Sequence, residues 1–337
     1  MHFLSSRQSA LRRVLTCLVF AFSLAPSFSL PSNPYLNQAE TLSLVSRQST
    51  TENDTLVLYP IEDEANPGFN KHDYSRFKYG DVTFANQYGH EMAKLAWQKL
   101  VKPILDKDRA DNKPLARFAS MVSRGSLPTA ATTFESYFCQ YLNRYLASAG
   151  AYAVLSIPIL KATSASRSED YATMSDEDRE KFMNDEHFTF DRDAIKDMVV
   201  FNLDDIYITG GHERAIRRTF KQESDAGRHN DVYYLYIAKL VNTTIDPAIE
   251  TRLNEVAVPQ FSDLKSIIEG PMFVIENRFV KRMLKASRSD LEALIDNLKD
   301  GKTFARRLYD AALKNDFHKA GNAYKANLKF VKKKAGL

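Results

Sequence analysis

Between Val199 and His212 the chain reads VVFNLDDIYITGGH, and several residues able to do chemistry fall within a few positions of one another. Asp204 and Asp205 are adjacent carboxylates, Thr209 carries a hydroxyl, and Gly210 and Gly211 make a glycine turn flanked by Ile208 and His212. A glycine turn that leads into a helix presents backbone N–H groups with the positive end of the helix dipole behind them, which suits a terminal phosphate. The two carboxylates are acceptors for a vicinal diol or for hydrated Mg²⁺. A sugar phosphate satisfies both halves, with its hydroxyls on the carboxylates and its phosphate in the turn.

These residues need a strand and a helix to hold them. Val199, Val200, Phe201 and Leu203 read as a central parallel strand buried on both faces, ending in the two acids at the edge where open α/β sheets bind ligands. A helix follows from near Glu213. Two other readings fit the segment alone. A Walker B strand looks similar, but the chain has no GxxxxGK[ST] loop. A simple turn between strand and helix is the other. A second segment favours a ligand site: in ASMVSRGSLPTAA, Ser123, Arg124 and Gly125 close another apolar strand and precede another helix.

The two segments together resemble type I phosphoribosyltransferases. The first is similar to their phosphoribosyl-pyrophosphate signature, with His212 in place of the usual final threonine. The second is similar to their pyrophosphate loop, with Ser126 in place of a second glycine. The phrases YSRFKYGD, SLPTAATTF, LDDIYITGGHERAI, IDPAIETRLN and ENRFVKRML resemble the ComF-like phosphoribosyltransferase family over roughly Tyr74 to Asn327. The resemblance implies phosphoribosyl pyrophosphate as donor, Mg²⁺ as cofactor and an acceptor the sequence does not name. It implies Asp204 and Asp205 on the ribose hydroxyls and, through substrate and water, on the metal. Ile208, Thr209, Gly210, Gly211 and His212 would hold the 5-phosphate; Arg124 and the Ser123–Gly125 amides would meet the leaving group. The polar stretch Lys161 to His187 falls where the family has its mobile active-site loop, so Lys161, Arg167 and Tyr171 are candidates to close over the pyrophosphate; a solvated surface loop is the competing reading. No general base is visible. A catalytically inactive sensor of phosphoribosyl pyrophosphate or another sugar phosphate is the alternative function, and His212, Ser126 and the N-terminus lean that way.

Along the rest of the chain, strands alternate with helices, which predicts an α/β fold: a phosphoribosyltransferase-like parallel sheet flanked by helices, with a mostly helical C-terminal extension. Phe84, Tyr88, Met92, Leu95 and Leu100 form one helical stripe, for which Pro103 is the expected end. A second helix over ATTFESYFCQYLNRYLAS closes at Gly150, AYAVLSIPIL reads as a strand, and Ser175 caps a short helix. DVYYLYIAKLV is a further strand after a turn at Gly227. DLKSIIE, RSDLEALIDNL and TFARRLYDAAL are helical.

With 337 residues and 44% apolar composition the chain can bury a large core, and a net charge of +4 is only mildly basic. Lys325, Lys329, Lys332, Lys333 and Lys334 read as a solvated helix face, and no nucleic-acid partner is expected. Cys139 reads as a buried inert thiol. Arg12 and Arg13 followed by LTCLVFAFSLA read as a targeting peptide over residues 1–30, secretory first, mitochondrial or signal-anchored otherwise. Residues 31–54 read as a polar linker and 55–337 as the globular domain, with no stable membrane span after cleavage. Asn53 and Asn242 lie in glycosylation sequons. His90 and Glu91 lack the second histidine of a zinc-protease motif and read as helix surface.

Overall fold

Residues 54–161, 188–225, 230–319 and 322–337 are described by the computed structural model. The targeting segment, nearly all of the linker, the helix expected at Ser175 and the turn at Gly227 lie outside them.

Six strands form one sheet: β1 (Thr55–Ile61), β2 (Arg117–Arg124), β3 (Leu155–Lys161), β4 (Phe188–Thr189), β5 (Met198–Tyr207) and β6 (Val232–Leu240). Their order is β1-β6-β5-β2-β3-β4, and every pairing is parallel except the short β3–β4 edge. Among the described residues, four α-helices precede β3: α1 (Lys71–Lys78), α2 (Val82–Ala96), α3 (Lys102–Ala110) and α4 (Ala130–Ser148). They share a core with one face of the sheet, where Met92, Phe134 and Phe138 join Phe201 and Leu203 of β5. On the other face α5 (Gly211–Asp225) sets Ala215 and Ile216 against Val200. The strand's period of two thus sorts consecutive β5 residues to opposite faces.

Pro103 does not end its helix. The chain widens into a π-turn at Trp97–Val101, where Lys102 N–H reaches back five residues to Trp97, and continues as α3 with Pro103 in its first turn. Proline lacks an N–H and its ring crowds the carbonyl four residues back, and a wider turn relieves both. Gly150 does end α4: with φ at +65° it takes the left-handed position after the cap, and the following amide of Ala151 bonds back to Leu146.

The C-terminal part is helical, as expected. It comprises α6 (Ile249–Glu255), α7 (Leu264–Ile268), α8 (Asn277–Lys285), α9 (Arg288–Asn297), α10 (Gly301–Lys314) and α11 (Asn322–Lys334). Phe279, Met283, Leu291, Leu308 and Val331 form its own core, which also takes in Leu127 from the loop after β2. The lysines of α11 other than Lys334 point to solvent while Tyr324, Leu328 and Val331 are buried. No helix among the described residues is long and apolar enough to cross a membrane.

Candidate functional site

The neighbours β5 and β2 send their chains in opposite directions. From β2 the chain passes through α4, on the first face, to β3; from β5 it passes through α5, on the second face, to β6. The loops leaving these two strands therefore diverge at the carboxyl edge, the place where open α/β sheets bind ligands. Both segments singled out in the sequence lie on it.

Asp204 and Asp205 are not at the end of β5 but inside it, since the strand runs on to Tyr207. Adjacent strand residues face opposite ways, so the pair divides instead of gripping one diol together. Asp204 turns toward α5, where its Oδ2 lies 2.7 Å from His212 Nδ1 and its Oδ1 accepts the Asp205 N–H at 2.9 Å. Asp205 turns toward α1 and is buried there, accepting from Tyr74 Oη at 3.2 Å and forming an ion pair with the Lys78 ammonium. Asp204 is thus the carboxylate on the side of the glycine turn.

The turn after β5 is built for close approach. Gly210 has φ of +71°, and a Cβ there would stand 2.3 Å from Tyr207 Oη, so only glycine fits. The Thr209 carbonyl accepts from Arg214 of α5 at 2.7 Å, and the helix begins at Gly211 with its first-turn amides lacking intrahelical partners. Ile208 packs against the main core. His212 Nε2 is enclosed without a hydrogen-bond partner, its ring 5.4 Å from that of Phe188.

In the second loop, Ser123 and Arg124 end β2, and Gly125 opens the turn that leads to the Thr129 cap of α4. Arg124 does not face open solvent alone. Its Nη2 donates to Glu135 Oε2 and to Ser156 Oγ, both at 2.6 Å, and Glu135 is wholly buried and also accepts from Ser120. The β3 backbone carries Lys161 opposite Phe188; Arg167 and Tyr171 lie outside the described residues. Cys139 is half-buried in the same region, and burial pushes its thiol up to about 12, in keeping with an inert role.

No ligand role for Lys78, Glu276 or Arg278 was legible in the sequence. Lys78 sits in the buried stripe of α1 with Tyr74 and Phe77, and desolvation, with the Arg278 guanidinium, lowers its ammonium to about 8. Glu276, at the N-cap of α8, is buried, accepts from Thr133 Oγ1 at 3.1 Å, and is raised by desolvation to about 8. Arg278 pairs with Glu250 at 3.8 Å. One signal was present: Lys78 and Glu276 both fall at helical spacing from buried apolar residues, where a charge needs a reason.

Among the described residues, no group of three or more His, Cys, Asp or Glu has the geometry to hold a metal. Asp205 is paired with Lys78, so of the two carboxylates Asp204 is the one that could reach a hydrated Mg²⁺ through water.

The profile described as PRTase ComF-like matches residues 53–331. Among solved structures, one titled as an analysis of an invariant aspartic acid in HPRTs, the asparagine mutant, shares 13% identity over 48% of this chain and 68% of that one, with a TM-score of 0.28. A hypoxanthine phosphoribosyltransferase from Staphylococcus aureus shares 13% identity over 46% of this chain, with a TM-score of 0.25, and this chain spans 63% of its length. No curated protein matches.

Proposed function

Since this chain belongs to the ComF-like phosphoribosyltransferase family, we propose that it binds phosphoribosyl pyrophosphate at the carboxyl edge of β5 and β2 and transfers the phosphoribosyl group to an acceptor. The observation that supports the reading is the topology: the glycine turn that opens α5 and the Ser123–Gly125 loop follow adjacent strands of a parallel sheet and lead to opposite faces.

In this reading the 5-phosphate lies on the Thr209–Gly211 amides with His212 Nε2 beside it. Asp204 accepts from the ribose hydroxyls, and Asp205 holds Lys78 and Tyr74 in place beneath. The C1–O bond to pyrophosphate breaks as the bond from C1 to the acceptor forms, through a transition state with positive charge on the ribose. The pyrophosphate carries that electron pair away past the amides of Ser123–Gly125. Mg²⁺, brought chiefly by the donor, would supply charge neutralisation on the leaving group, with Asp204 reaching it through water.

Calorimetric titration of phosphoribosyl pyrophosphate with Mg²⁺ into the full chain tests the donor site, with Asp204→Asn expected to abolish binding. Pyrophosphate release with a panel of acceptors then tests transfer. The His212 ring already on Asp204 favours one second reading, a sensor that binds without turnover, and saturable binding with no pyrophosphate released under any acceptor supports it.

A further inference from the structure

We infer that the outer face of α10 and α11 is a docking surface for an anionic lipid membrane, one that holds the protein against a bilayer without crossing it. No residue of either helix takes part in the donor reading, so the two stand or fall separately.

The two helices together hold nine Lys and Arg and a single acid, Asp310, in a chain whose net charge is only +4. The remainder of the chain is therefore net negative. Elsewhere on the surface cations lie beside acids, as Lys102 beside Asp106, Lys221 beside Asp225 and Arg252 beside Glu64. On this face they do not. Lys302, Arg306, Lys325, Lys329, Lys332 and Lys333 are exposed and form no ion pair among the described residues. Lys334 marks the boundary: it turns to the other side of α11, where Asp296 and Glu292 of α9 take it.

Helical spacing gathers these cations into one strip. In α11 the four lysines fall at intervals of four, three and one, on the side opposite the buried Tyr324, Leu328 and Val331. In α10, Lys302, Arg306 and Tyr309 share a side by the same rule. The helices meet along it, with Lys332 Nζ 6.0 Å from the centre of the Tyr309 ring and Lys302 Cε 3.2 Å from where a Cβ on Gly336 would stand. Lys302 and Arg306, Lys325 and Lys329, and Lys329 and Lys333 are like charges four residues apart, a spacing that weakens a helix. An anionic surface turns that repulsion into attraction.

The chemistry favours lipid headgroups over nucleic acid. Five of the six cations are lysines, whose ammonium is a point charge on a flexible stem and lacks the fork that reads a phosphate or base edge bidentately. Stacking platforms for bases are missing from the strip, since Tyr309 and Phe330 are partly buried and have Lys332 and Arg288 over their rings. Leu337, past the last turn of α11, is 46% exposed at the strip's end and adds an apolar contact of the kind interfacial helices use.

Co-sedimentation of the full chain with phosphatidylcholine vesicles, with and without phosphatidylserine, tests the surface. One variant changes Lys325, Lys329, Lys332 and Lys333 to Gln; a second changes Lys302 and Arg306 to Gln. A control changes Lys102, Lys113, Lys221 and Lys319, each exposed and paired with an acid, so that it loses as much charge as the first variant but elsewhere. Wild type and control should bind the anionic vesicles, less strongly as salt rises. At about fivefold per charge, the α11 variant should lose binding roughly 100-fold or more and the α10 variant roughly 25-fold, with melting temperatures close to the wild type. Equal losses in the α11 variant and the control would overturn the inference, as would equal uptake by vesicles lacking phosphatidylserine. Tighter binding of a single-stranded or duplex oligonucleotide, released by the same substitutions, would overturn it in favour of a nucleic-acid face.

Discussion

Asp205→Asn should destabilise the fold in a pH-dependent way, while Asp204→Asn should not. Asp205 is the acceptor for a buried ammonium, Lys78, and for the hydroxyl of the wholly buried Tyr74. Asparagine keeps an oxygen for the tyrosine but leaves the ammonium without a counter-charge, a loss of about 3–5 kcal/mol for a buried pair broken on one side. Lys78 has an escape, which is to shed its proton. Burial has already lowered it to about 8, so at pH 6 shedding it costs about 2.7 kcal/mol, at about 1.36 kcal/mol per pH unit. That exit caps the damage at about 3 kcal/mol at pH 6, near half that at pH 7, and little above pH 8. For a domain of this size about 3 kcal/mol corresponds to a melting temperature lowered by roughly 6–12 °C. Denaturant unfolding of wild type, Asp205→Asn, Lys78→Met and the Lys78→Met/Asp205→Leu pair, each at pH 6, 7 and 8.5, measures it. The apolar pair should recover most of the stability lost by either single change, because a buried ion pair is often replaceable by well-packed apolar groups. A loss below about 1 kcal/mol at pH 6, or one that does not shrink toward pH 8.5, would refute the assignment of Asp205 as a strut.

Three further outcomes follow from the same geometry. Glu276 is raised from 4.5 to about 8 by burial, so the folded state keeps a proton that the unfolded state has released. Stability should then fall as pH rises from 4.5 to 8, by up to about 1.4 kcal/mol per unit, and Glu276→Gln should flatten that slope in urea titrations; an unchanged slope would mean the carboxyl is not buried as described. Gly210→Ala must place a methyl against the Tyr207 ring at a positive φ, and should cost about 1–3 kcal/mol by thermal melting as well as donor affinity. Gly125→Ala would bring a methyl only to ordinary contact with Asn315 Oδ1 and the Leu127 carbonyl, at an ordinary φ, so its melting temperature should match the wild type, and weaker pyrophosphate binding in that variant would show that the loop face is used.

What the sequence made legible is what lies close together along the chain. The strand, the glycine turn and the helix over residues 198–225 are local, and their apolar run and glycine pair announce them. The same is true of Gly150, whose place after α4 depends only on its own backbone freedom. Reading DD as a matched pair failed because β5 continues to Tyr207, and a strand's period of two sends consecutive carboxylates to opposite faces. Had the strand ended at Leu203, both could have turned to one ligand. Nothing local could reveal the partners of Asp205, since Tyr74 and Lys78 lie 131 and 127 positions away. The partner of Arg124 was hidden for a related reason: an arginine in a glycine loop looks unpaired until Glu135, on the helix that follows, is placed beside it. The phrases that carried the family resemblance, scattered from Tyr74 to Leu284, contribute Lys78, Thr133, Asp205, Glu250, Glu276 and Arg278 to one polar and charged cluster. Tyr74, Glu276 and Lys78 are each buried there, and burying ionisable groups costs stability that a scaffold alone has no use for. Such a cluster, close to the glycine turn at Gly210, is a feature that supports the donor-site proposal.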